Sequence, residues 1–140
     1  MEKIPTEMLV VAGALRAESG LWLMHRRPSG KHHGGLWEFP GGKVESDETP
    51  EIALIRELNE ELAIVIQPAD LALAGKAEAP SDGAQPAIVI QLYTCMRWTG
   101  TPDPQEGGSI DWFSLNQMRD LPKPPLDGVL LESLAQKHSG

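Results

Sequence analysis

The segment GGLWEFPGGKVESDETPEIALIRELNEELAI, residues 34–64, is the most informative part of the chain. Its first part is rich in glycine and the remainder is rich in acidic residues. Thr49 can act as the N-cap of a helix, Pro50 suits the first helical position, and Glu51 favours the positive helix start. Apolar residues then recur at helical spacing as far as Leu62. The sequence therefore predicts a helix from Pro50 to Leu62.

Three glutamates of this helix share one face. Each helical residue turns the chain by about 100°, so Glu57, Glu60 and Glu61 lie close together. Crowding like charges costs roughly a few tenths of a kcal/mol per pair, which is easiest to explain if the face binds a cation. Mg²⁺ prefers oxygen ligands, whereas no cysteine–histidine spacing supports zinc. Taken alone, the three glutamates are equally compatible with a solvated acidic helix, because glutamate is a good helix former.

The turn Pro40-Gly41-Gly42 interrupts the extended stretch that precedes the helix. Glycines have no side chain, so their backbone can approach a metal ion or a phosphate closely. On its own, such a turn is more often only a turn. It becomes informative together with the acidic helix that follows it.

The two features together resemble the Nudix box, a motif of the form G-x5-E-x7-R-E-U-x-E-E-x-G-U in which U is aliphatic. Gly42 is followed after five residues by Glu48, and after seven more by Arg56-Glu57-Leu58-Asn59-Glu60-Glu61. One position departs from the motif, because Ala63 stands where the family has its second glycine. The resemblance implies the Nudix fold, an α/β (α+β) arrangement with a mixed β-sheet between helices. It also implies a pyrophosphohydrolase that cuts a substituted nucleoside diphosphate with Mg²⁺ or Mn²⁺.

The resemblance further implies a set of metal ligands. Glu57, Glu60 and Glu61 would bind the metal together with the carbonyl of Gly42, although Glu57 would instead be the general base in some members of the family. The segment QEGGSIDWFSL is similar to the part of MutT-type enzymes that contributes a further metal-binding glutamate, which would be Glu106 here.

Four further charged residues would support this site or contact the phosphates. Arg56 and Glu48 would form an internal pair that orients Glu57, so that mutations there impair catalysis for a structural reason. Arg27 and Lys43 are candidates for phosphate contacts, and for each of these lone basic residues a solvated charge is an equally good explanation.

The expected base pocket also follows from the resemblance. LWEFPGGK looks like a segment of MutT-type enzymes, which hydrolyse 8-oxo-dGTP, and of related CTP pyrophosphohydrolases. Gly41 and Phe39 in this segment would contact the substrate, with Phe39 near the base. LPKPPLDGVLLESL is similar to the MutT segment that carries a base-reading asparagine, replaced here by Asp127. Pro86 falls about where MutT has an arginine near the base, so we expect modest discrimination between bases.

Composition restricts the function further. The chain has 140 residues and a net charge of −8, so we expect one domain, residues 1–140, that does not bind nucleic-acid polymers. The opening residues lack the pattern of a signal peptide, and the apolar runs are too short for a membrane helix. We therefore expect a cytoplasmic protein without a membrane partner, acting on a small-molecule nucleotide, and either monomeric or homodimeric.

Short apolar segments predict the other elements. EMLVVAGAL and LWLMHR are expected to form a hairpin across the turn RAESG. Further strands are predicted in AIVIQPADLALAGKAEA, PAIVIQLYTCMRW and GSIDWFSL, and helices in LNQMRDL and DGVLLESLAQKH.

The remaining conspicuous side chains are expected to be structural. The adjacent His32 and His33 would be solvated on a loop. Trp22, Trp98 and Trp112 are assigned to packing, and Cys95 in an apolar strand to an inert core thiol. Trp37 and Phe39 alternate along an extended piece, which places them on one face, where they could stack on a base or Phe39 could belong to the core; the resemblance favours Phe39 near the base.

Three functions remain in competition. The first is hydrolysis of oxidised nucleotides such as 8-oxo-dGTP to the monophosphate and pyrophosphate, with pyrophosphohydrolysis of cytidine or other nucleotides as its variant. The second is a nucleotide-sensing module without catalysis, which would have a broken box, whereas all five charged box positions are present here. The third is the base-checking domain of a DNA-repair glycosylase, against which the length and the acidic charge argue.

Overall fold

A computed structural model describes residues 7–30 and 34–138 of the chain. His32 and His33 lie outside these residues. A short 3-10 helix, Pro68–Asp70, precedes the fifth strand. The strands and α-helices of the described part are β1 (Glu7–Leu15), β2 (Trp22–Arg26), β3 (Trp37–Glu38), β4 (Gly41–Lys43), α1 (Pro50–Leu62), β5 (Leu71–Ala79), β6 (Ala87–Cys95), β7 (Ser109–Phe113), α2 (Leu115–Arg119) and α3 (Pro125–Lys137).

The strands form two sheets. The larger has the order β4-β1-β6-β5 and the smaller the order β3-β2-β7. β1 runs parallel to β6, and the other pairs are antiparallel. The predicted fold class, a mixed sheet with helices, is confirmed.

The larger sheet lies between α1 and α3, because β1 is apolar on both faces. Val11 and Leu15 pack against apolar residues of α1. Ala12 and Ala14, which point the other way, pack against leucines of α3. A strand buried on both faces has a nearly continuous apolar sequence, as EMLVVAGAL does.

The predicted hairpin of β1 and β2 is wrong. The two strands belong to different sheets, and in the described part of the chain an isolated bridge between Arg16 and Trp22 joins their near ends. One edge of β1 pairs along its whole length with β6, and residues 10–12 pair with β4 on the other edge, whereas β2 pairs with β3 and β7. A second difference concerns AIVIQPADLALAGKAEA, where the strand begins only at Leu71 because Pro68 starts the 3-10 helix.

Helix α1 has the predicted bounds. The Thr49 side chain accepts a hydrogen bond from the Ile52 N–H, and Pro50 occupies the first turn. The helix ends at Ala63, whose backbone is left-handed (φ 60°, ψ 33°) and whose N–H donates to the Asn59 carbonyl at 3.0 Å. The position that departs from the box therefore keeps the conformation that glycine adopts most easily.

Ala63→Gly is expected to raise the melting temperature by roughly 2–5 °C. A left-handed alanine costs about 1 kcal/mol, and glycine adopts this conformation without the penalty. Thermal unfolding with Ala63→Val as the opposite control measures the effect, because a β-branched residue should lower the melting temperature. A lower melting temperature for Ala63→Gly would contradict the strain argument, and kcat should not change.

The aromatic and sulfur side chains are placed as predicted. Trp22 is buried, and the half-buried Trp98 and Trp112 stack with ring centroids 6.1 Å apart. Cys95 is buried, which raises the pKa of its thiol. Within the described ranges, every helix is too short or too polar to span a lipid bilayer.

Candidate active site

Two adjoining cavities lie beside the glycine turn. The first, here called the carboxylate cavity, has a volume of about 560 Å³ and is lined by His25, Arg27, Pro28, Glu38, Gly41, Glu57, Glu61 and Glu106. The second, here called the apolar pocket, has a volume of about 430 Å³, and most of its lining residues are apolar: it is lined by Val10, Val11, Ala12, Arg27, Glu38, Phe39, Gly41, Gly42, Ala79, Ile88, Ile90, Pro124, Pro125, Leu126, Asp127 and Leu130. Arg27, Glu38 and Gly41 line both of them, so one ligand with a charged end and an apolar end can occupy both.

Glu57 and Glu61 form the floor of the carboxylate cavity. Burial, the negative charge of the neighbouring Glu57 and a hydrogen bond between the two side chains together raise the pKa of Glu61 to about 8. Burial also raises the pKa of Glu57, although Arg56 opposes this. Two half-buried carboxyl groups joined by a hydrogen bond are a favourable environment for a divalent cation, which neutralises both.

The backbone of the glycine turn lies close to the glutamates of helix α1. A Cβ atom built on Gly42 would collide with the carboxylate of Glu57, so the backbone lies directly against that carboxylate. A Cβ atom on Gly41 would collide instead with the Val11 carbonyl of β1. The missing side chain at Gly42 therefore leaves space for the Glu57 carboxylate. The missing side chain at Gly41 allows β4 to pair with β1, and Gly41 also lines both cavities.

Arg56 binds the acidic residues around the site. Its Nε and Nη2 atoms donate to the two oxygens of Glu48 at 2.6 and 2.9 Å, and the resulting ion pair lowers the pKa of Glu48 to about 2. Its Nη1 atom donates to Glu57 at 3.3 Å, and its Nη2 atom to the Lys43 carbonyl at 3.2 Å. The guanidinium thus links strand β4 to helix α1 at the carboxylate of Glu57.

The other predicted metal ligands are more exposed. The side chain of Glu60 is half exposed and lies 3.4 Å from Arg56. Glu106 lies on an exposed turn at the edge of the carboxylate cavity. No three carboxylate or imidazole groups of the described residues converge into a ready metal cage. The oxygen donors nevertheless fit Mg²⁺, which usually keeps several waters and substrate phosphates in its shell.

The two predicted phosphate contacts are placed differently. Arg27 lines both cavities and donates from Nε to Glu38 at 2.8 Å, which raises the pKa of its guanidinium. The Lys43 side chain is exposed. Among the described residues, Lys43 is not one of those that line the carboxylate cavity or the apolar pocket. A role for Lys43 in phosphate binding stays a prediction.

The apolar pocket contains one buried carboxyl group. Asp127, 7% exposed, lies at the start of α3 and accepts a hydrogen bond from the Phe39 N–H at 3.0 Å. Burial raises the pKa of Asp127 to about 7, and the Phe39 N–H opposes this. Phe39 lines the pocket and is itself part of the core. Trp37, expected on the same face, packs edge-on against Phe113 with centroids 5.1 Å apart.

Asp127→Asn is expected to raise the melting temperature by at least roughly 3 °C at pH 8. A carboxyl pKa raised from 3.8 to about 7 gives stability that is fully present below pH 3.8 and is lost as the pH rises through 7. Asparagine does not ionise and still accepts from Phe39. Melting curves from pH 4 to pH 9 should show the difference between variant and wild type only at the higher pH values. An equal difference at pH 4 would contradict the burial argument.

Sequence reasoning missed two residues of the site. Glu38 lines both cavities and pairs with Arg27, and its position between two apolar residues of an extended piece was the available signal. His25 lines the carboxylate cavity from β2. The available signal was its position in the strand. His25 lies two residues after the buried Leu23, and residues two apart in a strand lie on the same face of the sheet.

Comparison with known proteins shows relatives along almost the whole chain. The family model of the NUDIX domain matches residues 6–134. The 8-oxo-dGTP diphosphatase of Escherichia coli is 32% identical over 128 residues, which cover 91% of this chain and 96% of that protein. The CTP pyrophosphohydrolase of the same organism is 34% identical over 129 residues, or 91% of each chain. The solution structure of the E. coli ORF135 protein matches with a TM-score of 0.84 and 30% identity, covering 96% of this chain and 93% of the other.

Together with these relatives, the mixed sheet between helices and the glutamate-rich helix beside a glycine turn identify an enzyme that hydrolyses phosphate anhydrides. The chain belongs to the Nudix hydrolase family. Within it the chain is of MutT type, a pyrophosphohydrolase. Members of the family generally need a divalent metal ion.

Proposed function

We propose that the protein hydrolyses 8-oxo-dGTP and related nucleoside triphosphates to the monophosphate and pyrophosphate, and so removes oxidised nucleotides from the cytoplasmic pool. The observation that carries this proposal is the junction of the two cavities at Arg27, Glu38 and Gly41. A nucleotide bound across the junction would have its base in the apolar pocket and its phosphates beside the carboxylates. The relatives named for 8-oxo-dGTP and CTP support a nucleotide substrate.

The acidic side chains of the carboxylate cavity would bind the metal ion and accept a proton from water. Glu57 and Glu61, with the Gly42 carbonyl and with Glu106 and Glu60 at the margin, would hold Mg²⁺ or Mn²⁺. When bound, the ion neutralises phosphate oxygens and lowers the pKa of coordinated water. One of the carboxylates accepts the proton of the attacking water, and the pairing with Arg56 keeps Glu57 in place for either role.

Arg27 is positioned to orient the phosphates. Its guanidinium lies at the junction of the cavities, held there by Glu38. A planar guanidinium with several donors suits phosphate oxygens. Orientation by Arg27 would bring the scissile phosphate to the carboxylates while the base stays in the apolar pocket.

Asp127 is the polar group that would contact the base. One of its oxygens accepts from Phe39, and the rest of the carboxyl group remains for the ligand. An ionised carboxylate accepts from the amino and imino edge of guanine and equally from the amino group of cytosine. The cytidine relative at 34% identity makes pyrophosphohydrolysis of CTP the second candidate.

A panel of nucleotides tests the proposal. Initial rates would be measured for 8-oxo-dGTP, dGTP, CTP and dCTP, with phosphate release after coupled pyrophosphatase as the readout. For ADP-ribose and dinucleoside polyphosphates, the readout is phosphate released from the products by a coupled phosphatase. We expect turnover of 8-oxo-dGTP with modest discrimination over dGTP and cytidine nucleotides. Pyrophosphate release from none of the triphosphates would refute the proposal.

Asp127→Ala is expected to raise KM for the preferred nucleotide by roughly tenfold to a hundredfold and to change kcat less. A hydrogen bond to a charged group contributes about 1.5–3 kcal/mol, and this contact serves the ground state and the transition state alike. The advantage of the preferred base should shrink. Asp127→Asn is the matched control, since it keeps the bond to Phe39. An unchanged rank order across the panel would place base recognition elsewhere.

A further inference from the structure

His25 has no role in the chemistry described so far, although it faces the carboxylate cavity. It follows three buried residues of β2 and is only partly exposed. It pairs across the small sheet with Glu38 on one side and Ile110 on the other. The imidazole therefore lies within the wall that faces Glu57 and Glu61.

The ring is bonded through one nitrogen. Its Nε2 atom lies 3.2 Å from the carbonyl oxygen of Gly107. A carbonyl oxygen can only accept a hydrogen bond, so Nε2 carries the proton and donates. The Nδ1 atom is buried and has no hydrogen-bond partner among the described residues. The one hydrogen bond that fixes the ring thus goes to the residue next to Glu106.

Glu106 lies between two anchors of its turn, residues 105–108. Before it, the Gln105 N–H donates to the Glu61 carbonyl at the end of α1, at 2.8 Å. After it, the Gly107 carbonyl accepts from His25. The first anchor ties the turn to the helix that carries the other glutamates, and the second ties it to β2.

The turn also packs closely on β2. Gly107 and Gly108 both have positive φ, 90° and 79°. A Cβ atom on Gly108 would collide with the Arg26 carbonyl and come within 2.9 Å of the His25 ring. The absence of a side chain at Gly108 therefore allows the turn to approach β2 closely enough for the Gly107 carbonyl to reach the imidazole.

We propose that His25 is a positioning residue for Glu106. By donating from Nε2 to the Gly107 carbonyl, it holds the turn against β2, so that the Glu106 carboxylate faces Glu57 and Glu61 across the carboxylate cavity. This inference rests on the proposed function, because it assigns Glu106 to the divalent-cation site.

Binding of Mn²⁺ without nucleotide tests the inference, with free Mn²⁺ measured by electron paramagnetic resonance. His25→Gln should keep the dissociation constant within about threefold of wild type, because its amide nitrogen reaches about as far as Nε2. The amide of His25→Asn reaches only as far as Nδ1, so this variant should weaken binding by about tenfold, as outer partners of metal ligands do. In a Glu106→Gln background, His25→Asn should cause no further loss. Melting curves of the metal-free variants show that the fold is kept.

Gly108→Ala provides a second arm that leaves His25 intact. The added Cβ atom displaces the turn from β2, so Mn²⁺ binding should weaken to a similar degree, and combination with His25→Asn should add little. This arm decides the question if His25→Asn does not fold.

Two results would overturn the inference. One is Mn²⁺ binding by His25→Asn at the wild-type level, and the other is an equal loss with and without Glu106. Turnover of the nucleotide panel by the wild type is measured alongside. If the wild type binds Mn²⁺ but releases no pyrophosphate, the proposed function is refuted. The role of His25 is then still decided by comparing Mn²⁺ binding among the variants. A wild type that binds no Mn²⁺ refutes both.

Discussion

Glu57→Gln and Glu61→Gln are each expected to lower kcat by at least about a hundredfold with little change in stability. Either change removes a carboxylate that would bind the cation or accept a proton in the transition state, and such groups contribute several kcal/mol. The fold should survive, because burial already disfavours the charged form of both groups. Initial rates at saturating nucleotide and Mg²⁺, with melting curves, measure both effects.

Glu51→Gln is the matched control for this experiment. It makes the same chemical change on the same helix, in the first turn and away from the carboxylate cavity. Its kcat should stay near that of wild type. Near-normal turnover of both Glu57→Gln and Glu61→Gln would contradict the assignment of the active site to the face of α1.

Gly42→Ala is expected to lower kcat by roughly tenfold to a hundredfold. The added Cβ atom would occupy the position of the Glu57 carboxylate, so that side chain must leave its place between Arg56 and the cavity. A shift of about 1 Å at a catalytic group can cost two orders of magnitude in rate. The nucleotide panel used above gives the readout, together with the Mn²⁺ dissociation constant.

Gly128→Ala is the control for the change from glycine to alanine. Gly128 lies in α3, and a Cβ atom there would meet nothing within 4 Å. Alanine in a helix is more favourable than glycine by about 0.5–1 kcal/mol, so this variant should be slightly more stable and fully active. If Gly42→Ala also keeps the wild-type kcat, the close approach of β4 to Glu57 has no catalytic importance.

The accuracy of the sequence predictions depended on how local the determining interactions are. Helix α1 was predicted to the residue because its cap, its proline and its apolar period are all contained in the helix and its flanks. The pairing of β1 was predicted wrongly, since it depends on β6 far along the chain. A strand pattern shows which residues are buried and does not show which neighbour pairs with them.

The same limit applies to the site. The spacing of the box identifies Glu57 and Glu61 as candidate site residues from the sequence alone, since both lie on one helix. Glu38 and His25 come from two other strands, and only the assembled small sheet places them beside those glutamates. The raised pKa of Asp127 likewise has no counterpart in the sequence, because it arises from burial under Phe39 and the rest of the apolar pocket.

The parallel pairing of β1 with β6 has a consequence for how the protein folds. Glu7 pairs with Ala87 and Leu15 with Cys95, so β1, an inner strand of the larger sheet, gains its longer pairing only after most of the chain has been made. Closing so long a loop costs entropy before any contact compensates for it. An excised peptide that spans residues 34–64 would contain every residue of the box. It would lack strand β1, against which the apolar face of helix α1 packs in the protein. We expect such a peptide to remain unfolded in water and to bind Mn²⁺ no better than a scrambled peptide of the same composition.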